Sequence, residues 1–165
     1  MEVQSDLSRL DDILRQTVTA IKDSRQQINS IADEARAEAN RIARELAKVR
    51  EEALAVIEQV DAVREEEQRT RMKLMRVSRD FKRYDEKEIQ QAYENARDVQ
   101  VRLIILTEKE KDLRAKRDEL ERSLRSISRL LSRAETLSTQ VGVALDYLTG
   151  NLDQLSRAIG TVEEK

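Results

Sequence analysis

The chain has 165 residues, 39% of them charged, with 31 basic side chains against 33 acidic ones, no His, Cys, Pro or Trp, and only three Gly. Zinc, haem and iron–sulfur centres need imidazole or thiolate ligands and triad catalysis needs His or Cys, so these chemistries are excluded, as is any disulfide. A net charge of −2 argues against capture of nucleic acid by the chain as a whole.

Just over half of the residues are Ala, Glu, Lys, Leu or Arg, the composition of coiled coils and long helices. The regular spacing of the apolar residues sets the chain apart from a disordered polyampholyte. No unbroken apolar run, neither residues 53–57 nor residues 103–106, comes near the roughly 20 residues that cross a bilayer, so no membrane partner is expected.

A first long helix is predicted over about residues 5–82. At its start Leu7, Leu10, Leu14, Ile21, Ile28, Ile31, Ala35 and Ile42 share a face that Thr17 and Ser24 dilute, which predicts a looser helix there. From 46 to 84 the alternation of three- and four-residue steps is regular. Leu46, Ala53, Val60, Glu67, Leu74 and Phe81 take the a positions of a heptad, and Val49, Val56, Val63, Thr70, Val77 and Tyr84 the d positions.

A turn is predicted over about 83–85. Extrapolated past Phe81, the first frame puts a positions at 88 and 95, whereas the downstream frame uses 89 and 96, so the seam slips by one residue. At the slip Asp85 can cap a new helix while Glu88 returns the capping-box bond, with Tyr84 and Ile89 in the staple positions. Seven basic residues between Arg69 and Arg83, followed by Asp85, Glu86 and Glu88, suit the dipoles of an ending and a starting helix.

A second helix is predicted over about 86–162. Its d series is apolar without exception: Ala92, Val99, Leu106, Leu113, Leu120, Ile127, Ala134, Val141, Leu148, Leu155 and Val162. Its a series reads Ala96, Leu103, Glu110, Arg117, Leu124, Leu131, Ser138, Leu145, Leu152 and Ile159, so three layers carry a polar group. Leu130, Leu137, Ala144 and Ala158 add an apolar stripe at g positions toward the C-terminus.

The fold class expected is all-α: two helices, each roughly 115 Å long, in an antiparallel coiled-coil hairpin that forms one domain over 1–165. A single continuous helix with a skip residue is the alternative. The stripe outside the a/d seam calls for a second interface, most simply a homodimer of hairpins forming a four-helix bundle.

The segment from Ser78 to Ala96, SRDFKRYDEKEIQQAYENA, resembles the N-terminal sensor region of the DegS family of soluble two-component histidine kinases. The likeness continues through Glu110–Arg122, EKDLRAKRDELER, and from Arg133–Leu137 to Tyr147–Leu148, and it is weaker before about Arg71. The resemblance implies a cytoplasmic input module whose parent autophosphorylates on a conserved His and passes phosphate to the response regulator DegU. It also implies that the phosphoacceptor and ATP-binding domains would follow where this sequence stops, near Thr161–Lys165. None of the family's catalytic residues maps onto this chain, which has no His to accept phosphate and no glycine-rich loop for ATP. ATP and Mg would belong to the kinase half, and no cofactor is expected here.

Within the expected seam, Val99, Leu106, Leu113, Leu120, Leu124, Ile127, Leu131, Val141, Leu145 and Leu148 are its apolar residues, and Glu67, Glu110, Arg117 and Ser138 its polar layers. Such layers can fix register or leave a bundle able to exchange two packings. In a hairpin centred near residue 84, Arg117 falls near Glu51 and Glu52, where an ion pair would account for it. Glu110 has no such mate and is the expected weak point. Gly142, Gly150 and Gly160 either soften the last quarter or, at Gly150-Asn151, end or kink the helix. The basic run near Phe81 and Tyr84 could take an acidic partner, nucleic acid or anionic lipid at the tip, although the acidic residues of the next helix would offset it. Adjacent carboxylates such as Glu65, Glu66 and Glu67 point to different helix faces and read as solvated surface.

The expected function is a non-catalytic signal-input and dimerisation module that acts mechanically on attached kinase helices, with a regulatory protein as a further partner. A structural or adaptor coiled coil with no kinase attached is the alternative.

Overall fold

A computed structural model describes residues 2–164 of the chain. Two α-helices account for nearly all of it, α1 over Glu2–Arg79 and α2 over Glu86–Glu163, joined by one turn of 3₁₀ helix at Phe81–Arg83. No Pro interrupts either helix, and the three Gly lie inside α2 without adopting a left-handed conformation. Gly150 therefore does not end α2, which continues to Glu163.

The first helix ends three residues before the predicted boundary. Asp80 leaves the helical region at φ −135° and ψ 51°, and the Arg83 N–H bonds back to its carbonyl at 3.0 Å. Tyr84 is extended, and the new helix then starts on a complete capping box. The Glu88 N–H donates to Asp85 Oδ1 at 2.8 Å, while Glu88 Oε2 accepts from the Asp85 N–H at 3.0 Å. Two of the backbone donors that a helix start leaves without partners are satisfied in this way. The Ile89 N–H to Asp85 C=O bond, 3.1 Å, opens the helical ladder. Tyr84 and Ile89 are half-buried, as the staple positions require, whereas Phe81, carried off the helical path, is exposed.

The chain forms two compact units. The turn unit is Ile42–Ser123, the turn with the two helix segments that flank it. The terminal unit joins the N-terminal segment up to Arg41 to the C-terminal segment from Leu124 onward. In each, a piece of α1 pairs with a piece of α2. Contacts in the turn unit link residues 36 and 71 apart in sequence, Glu66 with Arg102 and Arg50 with Glu121. In the terminal unit the separations are 99, 109 and 141, for Arg36 with Glu135, Asn29 with Ser138 and Arg15 with Ser156. Nested separations of this kind arise only when the paired segments run antiparallel, as the sequence predicts.

The core of the turn unit is a cluster of Val49, Val56, Val60 and Leu113, with Ala53, Leu103, Leu106 and Leu120 packed against it. These are the a and d residues of both helices, and among the described residues every fully buried side chain is apolar. The terminal unit buries smaller residues: Ala32, Ala35, Ala134 and Gly142 alongside Val18, Leu145 and Leu152.

Candidate functional site: a heptad seam with polar layers

The predicted seam of α2 is sequestered from Ala92 to Ile159, every a and d side chain being buried or half-buried; Val162 alone of that series is exposed. Val99, Leu113 and Leu145 are buried, and Leu106, Leu120, Leu124, Ile127, Leu131, Val141 and Leu148 half-buried.

The start of α1 follows a different frame from the one expected. The residues turned inward are Leu7, Leu14, Ile21, Ile28, Ala35 and Ile42 in one series and Asp11, Val18, Arg25, Ala32 and Ala39 in the other. Leu10 and Ile31 are exposed, and Thr17 and Ser24 lie on the outside with them. The seam is thus as regular upstream as downstream, but its second series carries two charged residues. Stepping back by sevens from Val49 reaches Leu7 through apolar residues alone, a signal that finds this frame directly. Leu10 and Ile31 drew the sequence reading one position aside, because a large apolar side chain outweighs an Ala or an Arg in any tally by hydrophobicity.

Arg25 occupies a seam position of the terminal unit opposite Gly142. A β-carbon at Gly142 would stand 2.9 Å from Arg25 Nη2 and 3.0 Å from Cζ. The glycine makes room for the guanidinium, whose buried Nε has no hydrogen-bond partner. One turn away, the Ser138 hydroxyl donates to Asn29 Oδ1 at 2.6 Å. Toward the open end Asp11 accepts from Arg15 at 2.7 Å and from the Ser156 hydroxyl at 3.3 Å, and Arg15 reaches Ser156 at 3.3 Å. The hydrogen bond and charge of Asp11 raise the pKa of Arg15 above its ordinary value. Ser138 is therefore one member of a run of polar layers in the terminal unit.

The polar layers of the turn unit are satisfied mostly within their own helix. Glu110, with 21% of its side chain exposed, accepts from Arg114 at 3.1 Å one helical turn on, so it has the mate that the sequence reading withheld. Arg117 bonds Asp118 at 3.0 Å rather than Glu51 or Glu52. Its neighbour Lys116 crosses to Glu45 at 3.5 Å. Glu67 is half-buried at a seam layer with Thr70, whose hydroxyl donates to the Glu66 and Glu67 carbonyls at 3.0 Å. Opposite stands Ala96, too small to fill the layer, and a cleft of about 390 Å³ opens between these residues, Leu74 and Tyr93. Near the turn, Arg83 pairs with Asp80 at 3.2 Å and Arg69 with Glu65 at 3.6 Å.

Among the described residues no group of three or more Asp or Glu is arranged to hold a metal ion, and no helix is long and apolar enough to cross a membrane.

Comparison with known proteins gives a consistent match. Residues 11–165 match the family described as Sensor protein DegS. The chain is 35% identical over 161 residues to the signal transduction histidine-protein kinase/phosphatase DegS of Brevibacillus brevis, covering 98% of this chain and 42% of that protein. It is 31% identical over 164 residues to the protein of the same name from Bacillus subtilis (strain 168), covering 99% of this chain and 43% of that protein. The chain therefore spans about two fifths of the length of these curated relatives. No solved structure matches.

Proposed function

The chain belongs to the DegS sensor protein family, and from that premise we propose that it is the signal-input module of a two-component histidine kinase. In this reading the hairpin is the cytoplasmic, non-catalytic half of its parent. It homodimerises, and it biases the geometry of kinase helices joined after α2, which alone would bind ATP and Mg. Phosphate would reach a response regulator of the DegU type only through that kinase half.

The observation that carries the reading is that polar side chains interrupt the apolar seam of both units. Glu67, Thr70, Glu110 and Arg117 break the Val and Leu layers of the turn unit, and Asp11, Arg25 and Ser138 break the layers of the terminal unit. Polar layers of this kind lower the free-energy difference between neighbouring packings, and a stimulus can move only an equilibrium whose two states it binds unequally. A regulatory protein that clasps one packing would be such a stimulus.

The test is made on the reading frame and on its product. Downstream sequence encoding a phosphoacceptor His and a nucleotide-binding domain is expected, and in that full-length protein Arg25→Leu should change autophosphorylation. A stop codon shortly after Lys165, or unchanged kinase and phosphatase activity in seam variants of both units, would favour an adaptor coiled coil instead.

A further inference from the structure

We propose that two copies pair through one flank of the terminal unit, the flank carrying Leu10, Ile31, Leu130, Leu137, Ala144 and Ala158, with their α1 segments running in the same direction. The proposal rests on the homodimer reading above and gives it a surface.

An antiparallel helix pair has two flanks, one where e positions meet e positions and one where g meets g. In the turn unit both are charged: Arg50 meets Glu121 across the e flank, and Glu45 meets Lys116 and Glu66 meets Arg102 across the g flank. In the terminal unit the e flank is again polar, with Arg36 on Glu135 and Arg15 on Ser156. Among the described residues no ion pair crosses its g flank. Leu10, Ile31, Leu130 and Leu137 stand there between 46% and 50% exposed, beside a seam that buries Val18, Ala32, Ala35, Ala134, Leu145 and Leu152. Large apolar side chains left half open along one uninterrupted flank of an otherwise charged rod mark a face completed by another molecule.

The spacing identifies that molecule as a second copy. Arg25 over Gly142 and Asn29 on Ser138 fix the levels of the unit, so that Ile31 lies level with Leu137, Ser24 with Ala144, Thr17 with Asn151, and Leu10 with Ala158. A twofold axis along the helices brings each α1 opposite the partner's α2 at the same level. Ile31 then meets a leucine, Ser24 and Leu10 each meet an alanine, and the polar Thr17 meets a polar Asn. Each helix also gains an antiparallel neighbour, the arrangement of a four-helix bundle. The fifth level, at the edge of the flank, sets Glu38 beside Leu130, and reversing one copy about the Ser24 level would also set Thr17 and Asn151 against Ile31 and Leu137.

The 165-residue chain is tested by sedimentation equilibrium with circular dichroism as the folding control. The wild-type chain should sediment as a dimer, Leu137→Glu at half that mass with its helicity kept, and Leu54→Glu, an exposed site in the turn unit, as a dimer. A monomeric wild type overturns the homodimer reading and this surface together; a dimeric Leu137→Glu overturns the surface alone. Because the chain has no Cys, a second measurement holds if Leu137→Glu unfolds: differently tagged Ser24→Cys and Ala144→Cys chains are mixed and oxidised. Efficient disulfide formation between the two tags is expected, with none between Ser24→Cys and Lys116→Cys. Equal yields in both mixtures overturn the proposal.

Discussion

The guanidinium of Arg25 lies against the backbone of Gly142, closer than a β-carbon there would allow. Gly150 and Gly160 have open space at the same point. Since Gly costs a helix interior about 1 kcal/mol relative to Ala, Gly150→Ala and Gly160→Ala should each raise the melting temperature of the chain. Gly142→Ala should gain less than either or lose stability, and the deficit should vanish in the Arg25→Ala background. A Gly142→Ala gain equal to that of Gly150→Ala, in both backgrounds, would show that Arg25 is not held there.

Arg25 itself should be dispensable for folding. A buried donor without a partner costs about 1–3 kcal/mol, and a well-packed apolar replacement removes that cost. Thermal and urea melts of Arg25→Leu should therefore show a more stable chain, with the penalty appearing in signalling. Lower stability in Arg25→Leu would mean that the guanidinium has partners in solution.

Glu110→Leu should also raise the melting temperature, by a smaller margin. Glu110 sits in an a layer between apolar neighbours, but its pair with Arg114 is half open to water and such pairs contribute about 0–1 kcal/mol. Added apolar burial should exceed that loss. An unchanged melting temperature would indicate that the layer stays hydrated.

At the turn, Asp85→Ala should cost about 0.5–2 kcal/mol, the range for losing an N-cap side chain, and Asp85→Asn much less. Glu88→Ala should cost less alone than Asp85→Ala. The double variant should show coupling, since the two residues bond each other's backbone N–H. Strict additivity in urea melts would argue against the capping box.

A pH effect is expected at Glu38. Its hydrogen bond from Arg41 lowers its pKa below the ordinary 4.5, with burial opposing. A carboxylate depressed on folding adds stability above its unfolded value that is lost as pH falls through the folded one. The contribution should therefore disappear below pH 4.5 and be absent in Glu38→Gln. Carboxyl carbon shifts followed through an acid titration read this directly, and a midpoint at or above 4.5 would contradict it.

Much of this organisation is legible in the sequence because heptad spacing is a direct record of burial along a helix. The unbroken series from Ala92 onward and the Asp85–Glu88 box could be read residue by residue, since each depends on local spacing alone. What escaped was relational. Arg25 falls on a seam position of the frame counted back from Val49, but an Arg is normally solvated, and only the missing side chain of Gly142 on the facing helix explains how it is admitted there. The frame before residue 46 was misplaced by Leu10 and Ile31, whose size suits a core position while their phase puts them outside. Counting from the turn places Arg117 near Glu51 and Glu52, which fixes the level of a side chain but not the direction it takes; Asp118, the next residue, satisfies it instead. The mate of Glu110 lay four residues away on the same helix, where the hairpin register does not point.

The antiparallel pairing itself is tested most directly by the distance between nitroxide labels at positions 36 and 135, whose native side chains meet at 3.0 Å. Labelled chains diluted with unlabelled ones, so that only intrachain pairs are counted, should give a narrow pulsed dipolar distribution centred below about 25 Å, the span of a helix pair with its side chains and label tethers. A single continuous helix would separate the two sites by roughly 150 Å at 1.5 Å per residue. Loss of the dipolar signal in the diluted sample would therefore contradict the hairpin.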